Sequence, residues 1–422
     1  MTAVQTMALW VLAALGAGAA VYWFIVLGHV IATRRSLPTA RDGLALPEAE
    51  ALKREGPRVA VVIPAHNEEG VIGVVARSLR EEDYPALRVV FALDRCTDGT
   101  ERVLREAIGD DARFEVVRIE ACPAEWAGKV HAIHEAVRVS AACRGAGEGG
   151  EGADGGAELL LFADADTMFA PGCIRACVAL LRARGLSLLS LLSTLTSDRW
   201  FEKVVQPVAG MELARQYPPR RVGRGRKSRP FANGQFMLFT REAYEAVGGH
   251  AAAREELLED IHLARLVAWS DRAVGVFMAA GMLRCRMYPD WAAFRKGWKR
   301  IYIEAANRRA DRLRSLALRL GVTGVMLPVG AAVALAAGGA AWWFTGEGLA
   351  LGTAVCGAAG CAAVGLGAGA AFALGGASLA AVLTLPIGAA RVAGILAEAG
   401  EDLARGRMVK WGGREYARAK RA

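Results

Sequence analysis

At 422 residues the chain has room for one large domain or two ordinary ones. Hydrophobic residues make up 54% and charged residues 23%, which excludes a disordered chain. A formal net charge of +9 suits anionic partners: acidic headgroups, a phosphorylated small molecule or nucleic acid.

The stretch from Met7 to Ala32 contains no Asp, Glu, Lys or Arg and is long enough to cross a hydrocarbon core of about 30 Å. No basic region precedes it, and it is too long for the core of a signal peptide. Arg34 and Arg35 follow directly, so the N-terminus is expected outside and the next segment in the cytoplasm. Eight cysteines without a C-x-x-C pair read as reduced thiols in a cytosol-facing protein.

The middle of the chain reads as α/β. Val59-Ala60-Val61-Val62-Ile63 is a run of mostly β-branched residues, expected as a buried strand. It runs into Pro64-Ala65-His66-Asn67-Glu68-Glu69, a loop and helix start, and a helix is predicted over Val71 to Arg80. A second strand, Leu87 to Leu93, ends at Asp94-Arg95-Cys96-Thr97-Asp98-Gly99-Thr100, another loop that opens a helix. Phe114 to Ile119 is a third strand. This alternation argues a parallel sheet with crossovers, whose ligand sits beyond the carboxyl ends of the strands. Gly145 to Gly156 reads as a flexible surface loop without function. The apolar run at Leu159 to Phe162 leads straight into Ala163-Asp164-Ala165-Asp166. On an extended chain these two carboxylates point to one side, and a hard divalent cation bound to phosphates would offset their repulsion. Taken alone, the pair reads equally well as exposed caps at a strand end.

Further on, Arg220 to Arg229 is a basic loop suited to anionic headgroups. No nucleic-acid recognition fold accompanies it, so nucleic acid is not an expected partner. Trp291 to Tyr302 is basic and aromatic. It reads either as an interfacial helix with Trp291, Phe294 and Trp298 on its apolar side, or as a lid with Arg295 or Lys299 pairing to a diphosphate. Past the basic entry Arg308 to Arg314, an apolar region runs from Gly321 to Ile395, with turns expected at Gly346-Glu347-Gly348 and Gly375-Gly376. Two or three further spans fit. A cytoplasmic basic tail requires an odd total of three; if Ala377 to Ala397 also spans, the tail lies outside, unless that segment lies along the interface. The expected organisation is an anchor over 1–35, a soluble domain over 56–300, interfacial and membrane helices over 301–400 and a basic tail over 401–422.

Three motifs in this order, Val61 to Glu68, Asp94 to Thr100 and Ala163 to Asp166, resemble the inverting family-2 glycosyltransferases of GT-A fold. Trp126-Ala127-Gly128-Lys129 is similar to the family's W-x-G-K segment, Asn233-Gly234-Gln235-Phe236 to its acceptor-side segment, and Glu259-Asp260 to its E-D motif. Phe294-Arg295-Lys296-Gly297-Trp298 stands where many members carry Q-x-x-R-W, but no Gln precedes it and the Arg-to-Trp spacing differs. The layout is similar to bacterial members that glycosylate carotenoids, hopanoids or related lipids.

The resemblance implies an α/β fold: a GT-A, Rossmann-like mixed sheet with flanking helices, plus N- and C-terminal transmembrane helices. It implies a membrane-anchored transferase that moves a sugar from a nucleotide-diphospho-sugar, UDP by preference, to a hydroxyl or carboxyl of a lipid or lipid-linked acceptor with inversion. The enzyme would be multi-pass in the inner membrane with its catalytic domain in the cytoplasm. Pro64, Ala65, Glu68 and Asp94 would line the nucleotide, Asp164 would meet the ribose or metal, and Asp166 would bind Mg2+ or Mn2+. Lys129, Gly234, Gln235, Arg295 and Trp298 would contact the substrates; Asp260 would be the general base and Glu259 its neighbour in the catalytic loop. A processive polysaccharide synthase and a non-catalytic membrane scaffold are the alternatives. The few spans and the unmet Q-x-x-R-W pattern weigh against the first, and the presence of Asp94, Asp164, Asp166 and Asp260 against the second.

Overall fold

The computed structural model describes residues 2–144, 156–219, 222–223, 225, 228–256, 258–407, 409–411 and 414–416. All of the Gly-rich loop except Gly156 lies outside them, as do Arg220, Arg221, Arg224, Arg226 and Lys227 of the basic loop and most of the basic tail. The chain divides into two compact units, one of residues 37–196 and 217–287, the other of 1–36, 197–216 and 288–422. The expected soluble domain over 56–300 did not draw this division: 197–216 and 288–300 group with the apolar helices.

The first unit is a seven-stranded sheet. Its strands are β1 Val59–Ala65, β2 Leu87–Asp94, β3 Phe114–Ile119, β4 Leu159–Phe162, β6 Leu188–Leu192, β8 Met237–Thr240 and β9 Val274–Met278, in the order β3-β2-β1-β4-β8-β6-β9. Strands β1 to β4 are mutually parallel, and β8 runs antiparallel to both β4 and β6. A smaller sheet joins β5 Thr167–Phe169, β10 Leu283–Cys285 and β7 Thr194–Leu195 in the order β5-β10-β7.

The continuous apolar runs have a simple cause, since both sheet faces are covered. Val59, Val61 and Ile63 of β1 join Val89, Phe91 and Leu93 of β2 on one face, where Ile72, Val75, Leu104, Ile174 and Val178 pack over them. The residues between, Ala60, Val62, Val90, Ala92, Leu160 and Phe162, face the helices Gly128–Val139 and Glu259–Trp269 through Val130, Ile133, Leu263 and Val267. Parallel strands with the same direction deliver their carboxyl ends, Ala65, Asp94 and Phe162, to one edge.

The second unit is helical. Among the described residues, four helical segments are long and apolar enough to cross a membrane: Ala3–Ser36, Ala310–Thr345, Gly348–Leu374 and Leu379–Ala404. The turns expected at Gly346-Glu347-Gly348 and Gly375-Gly376 are present, with Gly346 and Gly376 at φ of 67° and 76°, where a side chain would be strained. The last of the four helical segments covers the stretch on which the expected total of three or four spans turned. The segment expected over Ala377 to Ala397 is a short 3-10 turn, Leu379–Thr384, continuing into the helix Leu385–Ala404, whose acidic residues gather at its far end.

Small residues let these helices approach. A Cβ on Gly357 would run into the backbone of Leu335 and Ala331, and one on Gly16 into that of Cys356. The hydroxyl of Thr353 reaches across to donate to Leu9 O at 3.2 Å. Large apolar groups such as Trp10, Phe24, Trp343 and Phe344 point outward instead. Inside-small and outside-large is the pattern of helices whose surroundings are apolar. Gly357→Leu is therefore expected to destabilise the helical unit by about 2 kcal/mol. Gly352→Leu, whose Cβ meets open space, is expected to be neutral. Melting of the two variants in detergent, followed by size-exclusion profile, checks the contrast.

Candidate functional site

The loops after β1 and β2 are laced together. His66 donates from Nδ1 to the carbonyl of Asp94 at 2.6 Å, which assigns the proton to that nitrogen, because a carbonyl only accepts. Thr97 N–H donates to Asn67 Oδ1 at 2.8 Å and Glu68 N–H to Thr100 Oγ1 at 2.8 Å. Asp98 accepts from the N–H of Thr100, the first residue of the following helix, at 3.0 Å, while the N-cap position itself is Gly99. Asp94, buried at the end of β2, is held by its neighbour Arg95 through two contacts of 2.8 and 2.7 Å. Arg95 achieves this with φ of 48°, an uncommon conformation for a non-glycine residue. Pro64 and Ala65 are the last residues of β1. No side chain caps the helix Ile72–Arg80, so Glu68 does not serve as its cap. Burial, then the charges of Asp164 and Asp98, pushes the Glu68 carboxyl up to about 7.

The Asp164/Asp166 pair is not extended. β4 stops at Phe162, and Asp164 O accepts from Thr167 N at 3.3 Å, closing a turn before β5 begins. The turn sends the two carboxylates to different partners. Asp164 Oδ1 meets Lys129 Nζ at 2.6 Å. Asp166 meets the thiol of Cys285, and its Oδ1 is enclosed with no hydrogen-bond partner. Burial, then the charge of Asp164, raises the Asp166 carboxyl to about 7.

Lys129 is the joint of the site. It stands in the first turn of the helix Gly128–Val139, and its ammonium also meets Glu259 Oε1 at 2.7 Å. Burial works to lower its pKa, but the charges of Asp164 and Glu259 outweigh that and hold the ammonium firmly protonated. Burial would raise Glu259, yet Lys129 keeps its carboxyl below the ordinary value. Gly234 sits against this group: a Cβ there would lie 3.1 Å from Lys129 Nζ, 3.4 Å from Asp260 Oδ2 and 3.5 Å from Glu259 Oε1. Asp260 accepts from Gly234 N–H at 2.9 Å and from Ile261 N–H at 2.7 Å, so it also serves the first turn of its helix. Burial, then the adjacent charge of Glu259, raises Asp260 to about 7.

Lys129, Asp164, Gly234, Glu259 and Asp260 thus converge. Asp166 joins them through Asp164, and Gln235 through the Cys285 thiol that also touches Asp166. Arg295 and Trp298 belong to the other unit. There Arg295 pairs with Glu398 at 2.6 Å, and Trp298 is buried between Phe294 and Tyr302. His250 is a buried structural group: its Nδ1 lies 2.8 Å from Tyr244 Oη, and burial pushes its pKa down to about 3. His262 lies 3.7 Å from Glu256. Cys285 was not legible as a site residue. It arrives through the antiparallel register Cys285 to Thr167, a pairing over long sequence separation with no local signal.

Residues 57–290 match the family described as glycosyltransferase like family 2. The chain belongs to that family. With the mixed sheet, this bears out the expected GT-A class. The 4,4'-diaponeurosporenoate glycosyltransferase of Staphylococcus aureus (strain USA300) is 24% identical over 259 residues, which cover 60% of this chain and 62% of that protein. The match therefore spans less than two thirds of the relative's length. Among solved structures, a mannosyltransferase from Pyrobaculum calidifontis in complex with GDP-Man and Mn2+ aligns over 93% of this chain and 99% of its own, at 19% identity and a TM-score of 0.45. A glucosyl-3-phosphoglycerate synthase from M. tuberculosis aligns over 66% and 84%, at 19% identity and a TM-score of 0.36.

In this family-2 chain, Lys129→Met removes the one cation between Asp164 and Glu259. The expected loss of stability is about 2 kcal/mol, smaller than for a fully enclosed pair because Lys129 is one-third exposed. Adding Glu259→Gln should restore part of it. Denaturant midpoints of the single and double variants check both outcomes.

Proposed function

We propose that the chain is a membrane-associated glycosyltransferase that moves a sugar from a nucleotide-diphospho-sugar, preferentially a UDP-sugar, to a lipid-type acceptor with inversion. The observation that carries this reading is the convergence of Asp164, Glu259 and Asp260 on Lys129 beside the backbone of Gly234. The staphylococcal relative is named for diaponeurosporenoate, a lipid-type acid, which supports the acceptor class. The four apolar helices support a membrane location. Arg34 and Arg35 after the first of them favour a cytoplasmic catalytic unit in the inner membrane.

Inverting transfer is one displacement at the anomeric carbon. The acceptor oxygen attacks, the bond to the diphosphate oxygen breaks, and a hydroxyl acceptor gives up its proton to a base. Asp260 is that base. Two backbone N–H groups fix its carboxylate, and a pKa near 7 matches the working pH of a general base. Glu259 orients Lys129, and Lys129 holds Asp164 in place. Asp94, Glu68, Pro64 and Ala65 bound the nucleotide side at the ends of β1 and β2.

The donor set fits a divalent ion, Mg2+ or Mn2+. Asp166 Oδ1 is an enclosed anionic oxygen without a partner, and Asp164 stands beside it. Among the described residues no three His, Cys, Asp or Glu side chains converge on one point, so the diphosphate oxygens would complete the coordination. Such an ion supplies charge neutralisation on the departing nucleotide diphosphate.

Two measurements test the reading. The purified protein in detergent is expected to release nucleotide from one member of a UDP- and GDP-sugar panel only with Mg2+ or Mn2+, and Asp166→Ala should lose this release. Failure with every donor, with membrane lipids added, would overturn the proposal. For a hydroxyl acceptor, transfer should rise with pH and level off above about 7, because Asp260 works only when deprotonated. Asp260→Asn should lower that transfer by about 10²–10⁴-fold and remove the pH limb. A carboxylate acceptor, already ionised at neutral pH, should show far smaller effects of both kinds. Undiminished transfer to a hydroxyl by Asp260→Asn would remove Asp260 from the base role.

A further inference from the structure

Within the helical unit a cavity of about 330 Å³ opens between the helices Trp291–Ala305 and Leu385–Ala404. Its walls include Trp291, Arg295, Arg391, Gly394, Ile395 and Glu398. The size falls in the range of small-molecule sites. The charges around it are unbalanced. Glu398 meets Arg295 at 2.6 Å and Lys299 at 2.9 Å, and Asp402 meets Lys299 at 2.6 Å and Arg407 at 3.0 Å. Arg391 has no carboxylate partner among the described residues, although it lies within a segment apolar enough to span a membrane. An arginine placed at such a position without a counter-ion is costly and needs an anion.

Exposed apolar residues lie beside it. Ile387, one turn before Arg391 on the same helix, is 57% exposed, and Leu383, in the 3-10 turn that leads into the helix, is 86% exposed. Trp291 closes the other wall, its ring centroid 5.1 Å from that of the half-exposed Trp200. A guanidinium at the end of an exposed apolar strip, flanked by tryptophans, has the layout of an amphiphile site: chain along Leu383 and Ile387, head on Arg391. We infer that this cavity binds the anionic head group, phosphate or carboxylate, of a single-headed membrane amphiphile. Arg391 makes the paired hydrogen bonds for which a guanidinium is shaped, and Trp291 packs over the first carbons of the chain. The residues that line the cavity lie outside residues 57–290 that define the family match, and its binding does not depend on the transfer reaction.

The test uses the full chain in a neutral detergent, without donor sugar. Native mass spectrometry would follow retention of phosphatidylglycerol, a long-chain fatty acid and phosphatidylcholine of matched chains. The expected result is retention of one phosphatidylglycerol or one fatty acid at about tenfold lower concentration than phosphatidylcholine. Preference for the fatty acid assigns the head to a carboxylate lipid, and preference for phosphatidylglycerol assigns it to the bilayer's own lipid. Arg391→Gln should abolish the preference. Gly394→Leu gives a second, independent reading, because a Cβ there meets open space, so the side chain fills the cavity without disturbing a neighbour. Equal retention of phosphatidylcholine by the wild type, or an unchanged preference in both variants, would overturn the inference. So would displacement of the bound lipid by inorganic phosphate at equal concentration.

Discussion

Everything at the candidate site depends on one ammonium group. Lys129 lies 2.6 Å from Asp164 and 2.7 Å from Glu259, while Asp166 and Asp260 press in beside those two carboxylates. Like charges at such spacing cannot all remain ionised without a cation, and one lysine cannot serve four carboxylates. The result is a graded set. Glu259, next to the cation, stays below the ordinary carboxylate range, while Asp166 and Asp260, enclosed and farther from it, are raised. In the proposed function, one raised carboxyl, Asp166, would take a cation and the other, Asp260, a proton.

The sheet makes that arrangement possible. Parallel β1, β2 and β4 end at one edge, so the loops carrying Asn67, Asp98 and Asp164 start from fixed and adjacent points. Antiparallel β8 enters from the opposite direction, and Asn233 to Gln235 precede it at the same edge. Asn233 is itself held there, donating from Nδ2 to Leu191 O at 2.9 Å. Gly234 completes the approach: its backbone N–H reaches Asp260 at 2.9 Å, and a Cβ there would crowd the Lys129 ammonium at 3.1 Å.

The helical unit follows a different physics. Its helices meet through glycine and alanine, so backbones touch and the large apolar side chains face away. Association of this kind relies on close packing and on occasional cross-helix hydrogen bonds such as Trp23 Nε1 to Thr323 O at 3.2 Å. Among the described residues the carboxylates near the end of the helix Leu385–Ala404 are paired, while Arg391, further back on the same helix, has no carboxylate partner. An exception of this kind in an otherwise economical segment marks a place where something else supplies the counter-charge.

The sequence by itself determined the strands begun at Val59 and Leu87, the helix after each, the apolar character of the N- and C-terminal segments and the motif positions of Lys129, Asp164, Asp166, Glu259 and Asp260. These are local properties: apolar run length, turn chemistry, and polar residues placed where a strand stops. What they could not contain is distance between segments far apart in the chain. That Lys129 bridges Asp164 and Glu259 rather than facing solvent, that Asp164 and Asp166 diverge around a turn, and that Cys285 closes on Asp166 follow from sheet order and register. The assignment of 197–216 and 288–300 to the helical unit is of the same kind, since apolar periodicity shows that a helix has a buried face but not which partner buries it.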